Sequence, residues 1–144
     1  METILVGVDG SEAAGVALEF AVEEAQVRGA MLRVLSVWEL PPTKIHEAAT
    51  AVPQVTEGLR KAAESIVSEA VNRVKELAPD LPCEKVVLEG WPQGVIVEEA
   101  KGALFAVVGR RGRGALASLL LGSVSRHVVE HAPCPVIVVP PLDR

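Results

Sequence analysis

Aromatic side chains are scarce in this chain of 144 residues: two tryptophans, two phenylalanines and no tyrosine, 3% in all. A core without large rings has to be assembled from Val, Ala and Leu, and with 49% apolar residues the chain has enough of them. That is the composition of a sheet covered by helices. Cysteine is almost as rare. Cys83 and Cys134 stand far apart without metal-ligand spacing, and they read as small buried hydrophobes of a reducing compartment. No run approaches the ~18 apolar residues of a membrane span. The start, Met1-Glu2-Thr3, is acidic and leads into an apolar stretch broken at Asp9, unlike a signal peptide. The expectation is a single domain over residues 1–144, cytoplasmic and not membrane-bound.

Acidic residues are missing from one long segment. Between Ala100 and Val129 there is no Asp or Glu, while Lys101, Arg110, Arg111, Arg113 and Arg126 give it a charge of +5. The net charge of -5 therefore leaves -10 on the rest of the chain. An acidic body argues against a nucleic-acid surface, whereas one basic segment suits a small anion. Charge alone fits solvated arginines equally well.

Five apolar runs read as strands. Ile4 to Val8, Leu104 to Val108 and Val136 to Val139 do not alternate with polar residues, as befits strands buried on both faces of a parallel sheet. Met31 to Val37 and Lys85 to Leu88 are weaker. Helical spacing fills the intervals. Ser11 can cap a helix carrying Ala14, Leu18, Ala21, Val22 and Ala25 on one face, with Gly29 ending it. Leu59, Ala63, Ile66, Ala70, Val74 and Leu77 mark a second, stopped by Pro79. Pro92 opens a third through Ala100, and a fourth runs from about Gly122 to His131. Alternating strands and helices predict an α/β fold: a doubly wound, open, five-stranded parallel sheet with helices on both faces. Glu39 to Val55, with Pro41, Pro42 and Pro53, is the one long connection expected.

Ligands of such sheets sit beyond the carboxyl ends of the strands. The first strand ends in Val8-Asp9-Gly10-Ser11. The fourth ends at Val108 and continues Gly109-Arg110-Arg111-Gly112-Arg113-Gly114, reaching Gly122-Ser123-Val124-Ser125 after the seven residues Ala115 to Leu121. Glycines let a backbone turn its N–H groups toward a phosphate, by positive φ or by close approach without a Cβ. Gly109 and Gly112 suit the first part of such a wrap. Gly122 and Ser123 suit the second, where a helix start attracts anions, and Ser123 and Ser125 add hydroxyls. A flexible turn followed by a helix start would use the same glycines. No P-loop lysine and no dinucleotide glycine triplet is present, nor the acidic cluster of a receiver domain.

With those residues assembled, the chain resembles the universal stress protein family over essentially its whole length. Ile4-Leu5-Val6-Gly7-Val8-Asp9-Gly10-Ser11-Glu12 is similar to that family's first strand and turn. Gly109-x2-Gly112-x9-Gly122-Ser123 is similar to its nucleotide-binding signature, and His131-Ala132-Pro133-Cys134-Pro135-Val136-Ile137-Val138-Val139 to its last turn and strand. The intact signature implies the branch that binds ATP. By this resemblance Asp9 and the backbone around Val8 and Val37 hold the adenosine part, next to Val108. Gly109, Arg111, Gly112, Gly122, Ser123, Val124 and Ser125 surround ribose and phosphates. Arg110 and Ala103 depart from the family pattern, which often has a small polar residue and an Asp there. One ligand shared by Asp9 and Gly109 requires neighbouring first and fourth strands, hence the order 3-2-1-4-5. The last strand is then an edge, and the resemblance implies a homodimer through Val136 to Val139.

Three functions remain open at this level. One is an ATP-binding stress or signalling module whose nucleotide state shifts its contacts. Another is a slow ATPase or phosphotransfer enzyme in which Asp9 holds Mg²⁺ or water, although one carboxylate without a placed base is thin machinery. The third is a nucleotide-free dimeric scaffold. His127 and His131, four apart, have the spacing of a metal pair but no evident third ligand. Trp38 and Trp91 border strand ends and read as packing residues, and Ser11 as a cap rather than a nucleophile.

Overall fold

The structure is a computed structural model that describes residues 1–41, 45–111 and 121–142, with the backbone alone over 45–52. Among these residues five strands and four helices alternate: β1 (Thr3–Gly7), α1 (Glu12–Arg28), β2 (Met31–Trp38), α2 (Ile45–Leu77), β3 (Cys83–Glu89), α3 (Pro92–Glu99), β4 (Phe105–Gly109), α4 (Ser123–His131) and β5 (Val136–Val139). All strand pairs are parallel, in the order β3-β2-β1-β4-β5. β1 lies at the centre, its Ile4, Leu5 and Val6 wholly buried, which is why its sequence carries no polar alternation.

Successive side chains of each strand face opposite layers. Ile4, Val6, Leu32, Val34, Phe105 and Val107 meet α1 and α2, while Leu5, Leu35, Ala106 and Val108 meet α3 and α4. The scarcity of rings is met by small residues. Ala14, Ala17, Ala21 and Ala25 are buried along α1 beside Leu18 and Val22, so the helix lies close on the sheet. Its ends follow local chemistry. The Ser11 hydroxyl accepts the Ala14 N–H at 3.1 Å, and Gly29 closes the helix in the left-handed region at φ 63°.

One expectation fails. The interval Glu39 to Val55 is not a long connection, because α2 already begins at Ile45 and runs 33 residues with Pro53 inside it. Residues 45–52, Ile-His-Glu-Ala-Ala-Thr-Ala-Val, include three alanines, and the missing proline N–H costs only one bond of a long ladder. Expected connection residues 42–44 lie outside the described residues. Cys83 and Cys134 are unpaired and half-buried at the rims of the two core layers. Among the described residues no helix is long and apolar enough to cross a membrane.

Candidate functional site

β1 feeds α1 toward one face and β4 feeds α4 toward the other, so a crevice opens where the two strands end side by side. A cavity of about 190 Å³ occupies it. The ends of β1 and β2 supply Gly7, Val8, Asp9, Leu35 and Val37. The end of β4 supplies Val108, Gly109 and Arg111, and the start of α4 supplies Val124 and Ser125. Ser11 and Ala14 of the α1 start, with Pro92 and Ile96 of α3, close the remaining walls. Eight residues singled out in the sequence thus meet: Val8, Asp9, Val37, Val108, Gly109, Arg111, Val124 and Ser125. Gly122 and Ser123 stand immediately before Val124 but do not line the wall, and Gly112 lies outside the described residues.

The turn after β1 is held by its own polar groups. Asp9 Oδ1 accepts the Ser11 N–H at 2.9 Å, Ser11 caps α1, and Gly10 takes the positive φ of 83° that the turn demands. Ser11 is a cap, as expected. Gly109 serves by close approach rather than by positive φ, and what it approaches is the chain's own backbone. Its φ is not positive; what it provides is space, because a Cβ there would lie 3.0 Å from the Ala13 carbonyl carbon and oxygen.

Two sets of backbone groups face the cavity without a partner among the described residues. The β1–β2 ladder ends with the Gly7–Leu35 pair and the Val8 N–H bonded to the Leu35 carbonyl at 2.8 Å. The following rung, Val37 N–H to the Val8 carbonyl, is not made. Alternation along β2 turns the Val37 N–H and C=O toward β1, so one donor and one acceptor are presented side by side at the cavity rim. Across from them, α4 starts at Gly122 without a side-chain cap, and its first internal bond is Arg126 N–H to the Gly122 carbonyl at 3.0 Å. The N–H groups of Ser123, Val124 and Ser125 therefore project from the positive end of the helix dipole. α1, by contrast, has its start occupied by Ser11. The Gly122 N–H is also engaged, donating to the Arg110 carbonyl at 2.9 Å, and the buried Ser125 hydroxyl donates to that same carbonyl at 2.8 Å.

Gly7, Ser11, Ala14, Leu35, Pro92 and Ile96 were not expected on the wall. The signal for Gly7 was its place at the end of β1, and for Pro92 its place at the start of α3, while Leu35 lies inside β2 and Ile96 and Ala14 carry only a helical core periodicity. Arg110 is half-buried, and its Nε is buried without a hydrogen bond to the described residues. His127 and His131 stack on each other, ring centres 4.1 Å apart, and Trp91 meets His127 edge-on at 4.8 Å. Among the described residues no group of three or more His, Cys, Asp or Glu is placed to hold a metal ion.

An open parallel α/β sheet with its crevice at the switch between β1 and β4, lined by glycine, one arginine and an uncapped helix start, defines the small-ligand cradles of the doubly wound class. The model of the universal stress protein family matches residues 1–140. The chain belongs to the universal stress protein family. It is 38% identical over 141 residues to a universal stress protein of Thermus aquaticus, covering 96% of this chain and 98% of that one. It is 35% identical over 142 residues to one of Mycolicibacterium smegmatis, covering 96% of this chain but 45% of that one. The chain thus spans about half the length of the mycobacterial relatives it matches. Among solved structures it superposes on UspA of Lactobacillus plantarum with TM-score 0.84 and 28% identity, over 96% of this chain and 97% of that one. A universal stress protein in complex with cAMP aligns with TM-score 0.71 and 26% identity, over 98% of each chain. The Archaeoglobus fulgidus protein in complex with dAMP aligns with TM-score 0.68 and 28% identity, over 96% of this chain and 98% of that one.

Proposed function

We propose that the cavity beyond β1 and β4 binds an adenine nucleotide, ATP in the first instance, and that the chain acts in the cytoplasm as a nucleotide-responsive stress or signalling module. The observation that carries this reading is the facing pair of unclosed backbone groups. The Val37 N–H and C=O form a donor–acceptor edge complementary to an adenine edge, which offers one acceptor nitrogen beside one amino donor. The α4 start offers its N–H groups to phosphate, with Arg111 supplying positive charge on the same wall. Val8, Val37, Val108 and Ile96 supply an apolar slot for a flat base between them. Relatives of this fold in complex with cAMP and with dAMP support the same ligand class.

In this reading Asp9 addresses the ribose, and Gly109, Gly112, Gly122, Ser123, Val124 and the backbone N–H of Ser125 belong to the phosphate side. Mg²⁺ would accompany a triphosphate there. A homodimer through Val136 to Val139 accompanies the reading, since among the described residues β5 pairs with β4 alone and keeps an open edge. The test is direct. Protein purified without added nucleotide is denatured and its released small molecules are analysed, and nucleotide-stripped protein is titrated calorimetrically with ATP, ADP, AMP and GTP. Saturable adenylate binding at one site per chain is expected, and its absence for every adenylate would end the proposal.

A further inference from the structure

The backbone of Arg110 joins three elements. Its N–H donates to the Val139 carbonyl at 2.9 Å, extending the pairing of β4 with β5 by one residue. Its carbonyl accepts both the Gly122 N–H, at 2.9 Å, and the Ser125 hydroxyl, at 2.8 Å. Arg110 directly follows β4 and Gly122 directly precedes α4, so this carbonyl ties the end of the strand to the start of the helix. The Ser125 hydroxyl also lies 3.1 Å from the Gly122 carbonyl, and its single proton serves one carbonyl at a time. Ser125 is only 3% exposed, and a buried hydroxyl deprived of an acceptor is costly, so the bond to these carbonyls persists. A phosphate oxygen can only accept a hydrogen bond. A serine proton committed to protein carbonyls is therefore not the phosphate donor that its place beside the cavity suggests.

We infer that Ser125 is a positioning residue, a latch that fastens the first turn of α4 to the exit of β4 and thereby fixes the open α4 N–H groups relative to Gly109 and Arg111. The inference rests on the nucleotide reading for its consequence but not for its geometry. The latch raises affinity by holding the site in its binding form beforehand, which lowers the ordering cost at the moment of binding. Its loss weakens every adenylate that uses the α4 start by a common factor of about fivefold, the order of one net hydrogen bond.

The experiment compares the wild-type chain, Ser125→Ala and Ser125→Thr. The first measurement is amide hydrogen exchange without nucleotide, at Gly122 and, as reference, at Val8 and Met31, whose N–H groups lie in the β1–β2 pairing. The second is affinity for ATP and for AMP. The latch predicts roughly tenfold faster exchange at Gly122 in the alanine chain, unchanged exchange at the reference amides, and equal losses for ATP and AMP; threonine, which keeps the hydroxyl, restores both. Unchanged exchange at Gly122 in folded Ser125→Ala overturns the latch, as does a loss confined to ATP, which would mark Ser125 as a phosphate contact. Should the alanine chain fail to fold, Ser125→Cys keeps the volume with a weaker donor and must show the same selective acceleration at Gly122. A wild-type chain that binds no adenylate refutes the functional reading, while Gly122 exchange still decides the latch.

Discussion

Gly109 and Ala13 are in backbone contact: a Cβ built on Gly109 would stand 3.0 Å from the carbonyl carbon and oxygen of Ala13 and 3.1 Å from its Cβ. The carboxyl end of β4 is thereby seated against the first turn of α1, and Asp9 and Arg111 come to share one cavity wall. The obstacle is main chain rather than a movable side-chain tip. Gly109→Ala is expected to fold with a loss of about 1–3 kcal/mol, the usual cost of a forced backbone shift, and with adenylate affinity reduced about tenfold or more. Urea denaturation and calorimetric titration check the two effects. Wild-type stability in the alanine chain would show that this contact yields without strain.

Arg111 is the described cavity residue with a permanent positive charge. If it addresses phosphate, Arg111→Ala should weaken ATP by about tenfold or more, in line with a charge-assisted hydrogen bond of roughly 1.5–3 kcal/mol. Adenosine should lose little. Parallel titrations with both ligands decide the matter, and equal losses would place Arg111 in the base or ribose region instead.

Pro53 sits inside α2 and removes one N–H from its ladder. The residue is exposed, so replacing it leaves no hole in the core. Pro53→Ala should strengthen the helix by about 1 kcal/mol or more, up to the ~3 kcal/mol typical of a helix interior. Far-UV circular dichroism and the thermal midpoint should both rise. A fall in either would mean that the proline itself is needed for α2 to dock.

Burial pushes the Cys83 thiol above its ordinary range, partly offset by the charge of Lys75, and burial does the same for Cys134, offset by a bond to the Ala106 backbone. The folded state therefore resists thiolate formation. The resulting stability is complete below the unfolded thiol value, about 8.5, and is lost as pH rises from there through the higher folded value. Stability measured by denaturant between pH 7 and pH 10 should decline, with a shallower slope in Cys83→Ser than in the wild-type chain. Alkylation of both thiols at pH 8 should be slower than that of an unfolded control.

Much of the fold was legible because its signals are local. The unbroken apolar run at Ile4 to Val8 marked a strand buried on both faces, and Ser11 and Gly29 bracketed α1 through side-chain capping and a left-handed φ, neither of which needs distant partners. The strand order followed from one geometric demand, that Asp9 and Gly109 share a ligand. α2 shows where local reading ran out. Three prolines between Glu39 and Val55 suggested a connection, yet helix formation is decided by the summed ladder, and a single proline interrupts it at one bond only.

By itself the sequence determined which segments become strands and helices, and which chemistry stands at their ends: an acidic turn after β1, glycine and arginine after β4, an uncapped start to α4. Only tertiary structure decided how those groups are used. Whether the Val37 N–H is spare depends on β1 stopping one rung short. Whether Gly109 must be glycine depends on the approach of Ala13, and whether the Ser125 hydroxyl serves a ligand or the Arg110 carbonyl depends on where residue 110 lies in space. Each is a question of which atoms, distant along the chain, arrive within about 3 Å, and no periodicity or local propensity carries that information.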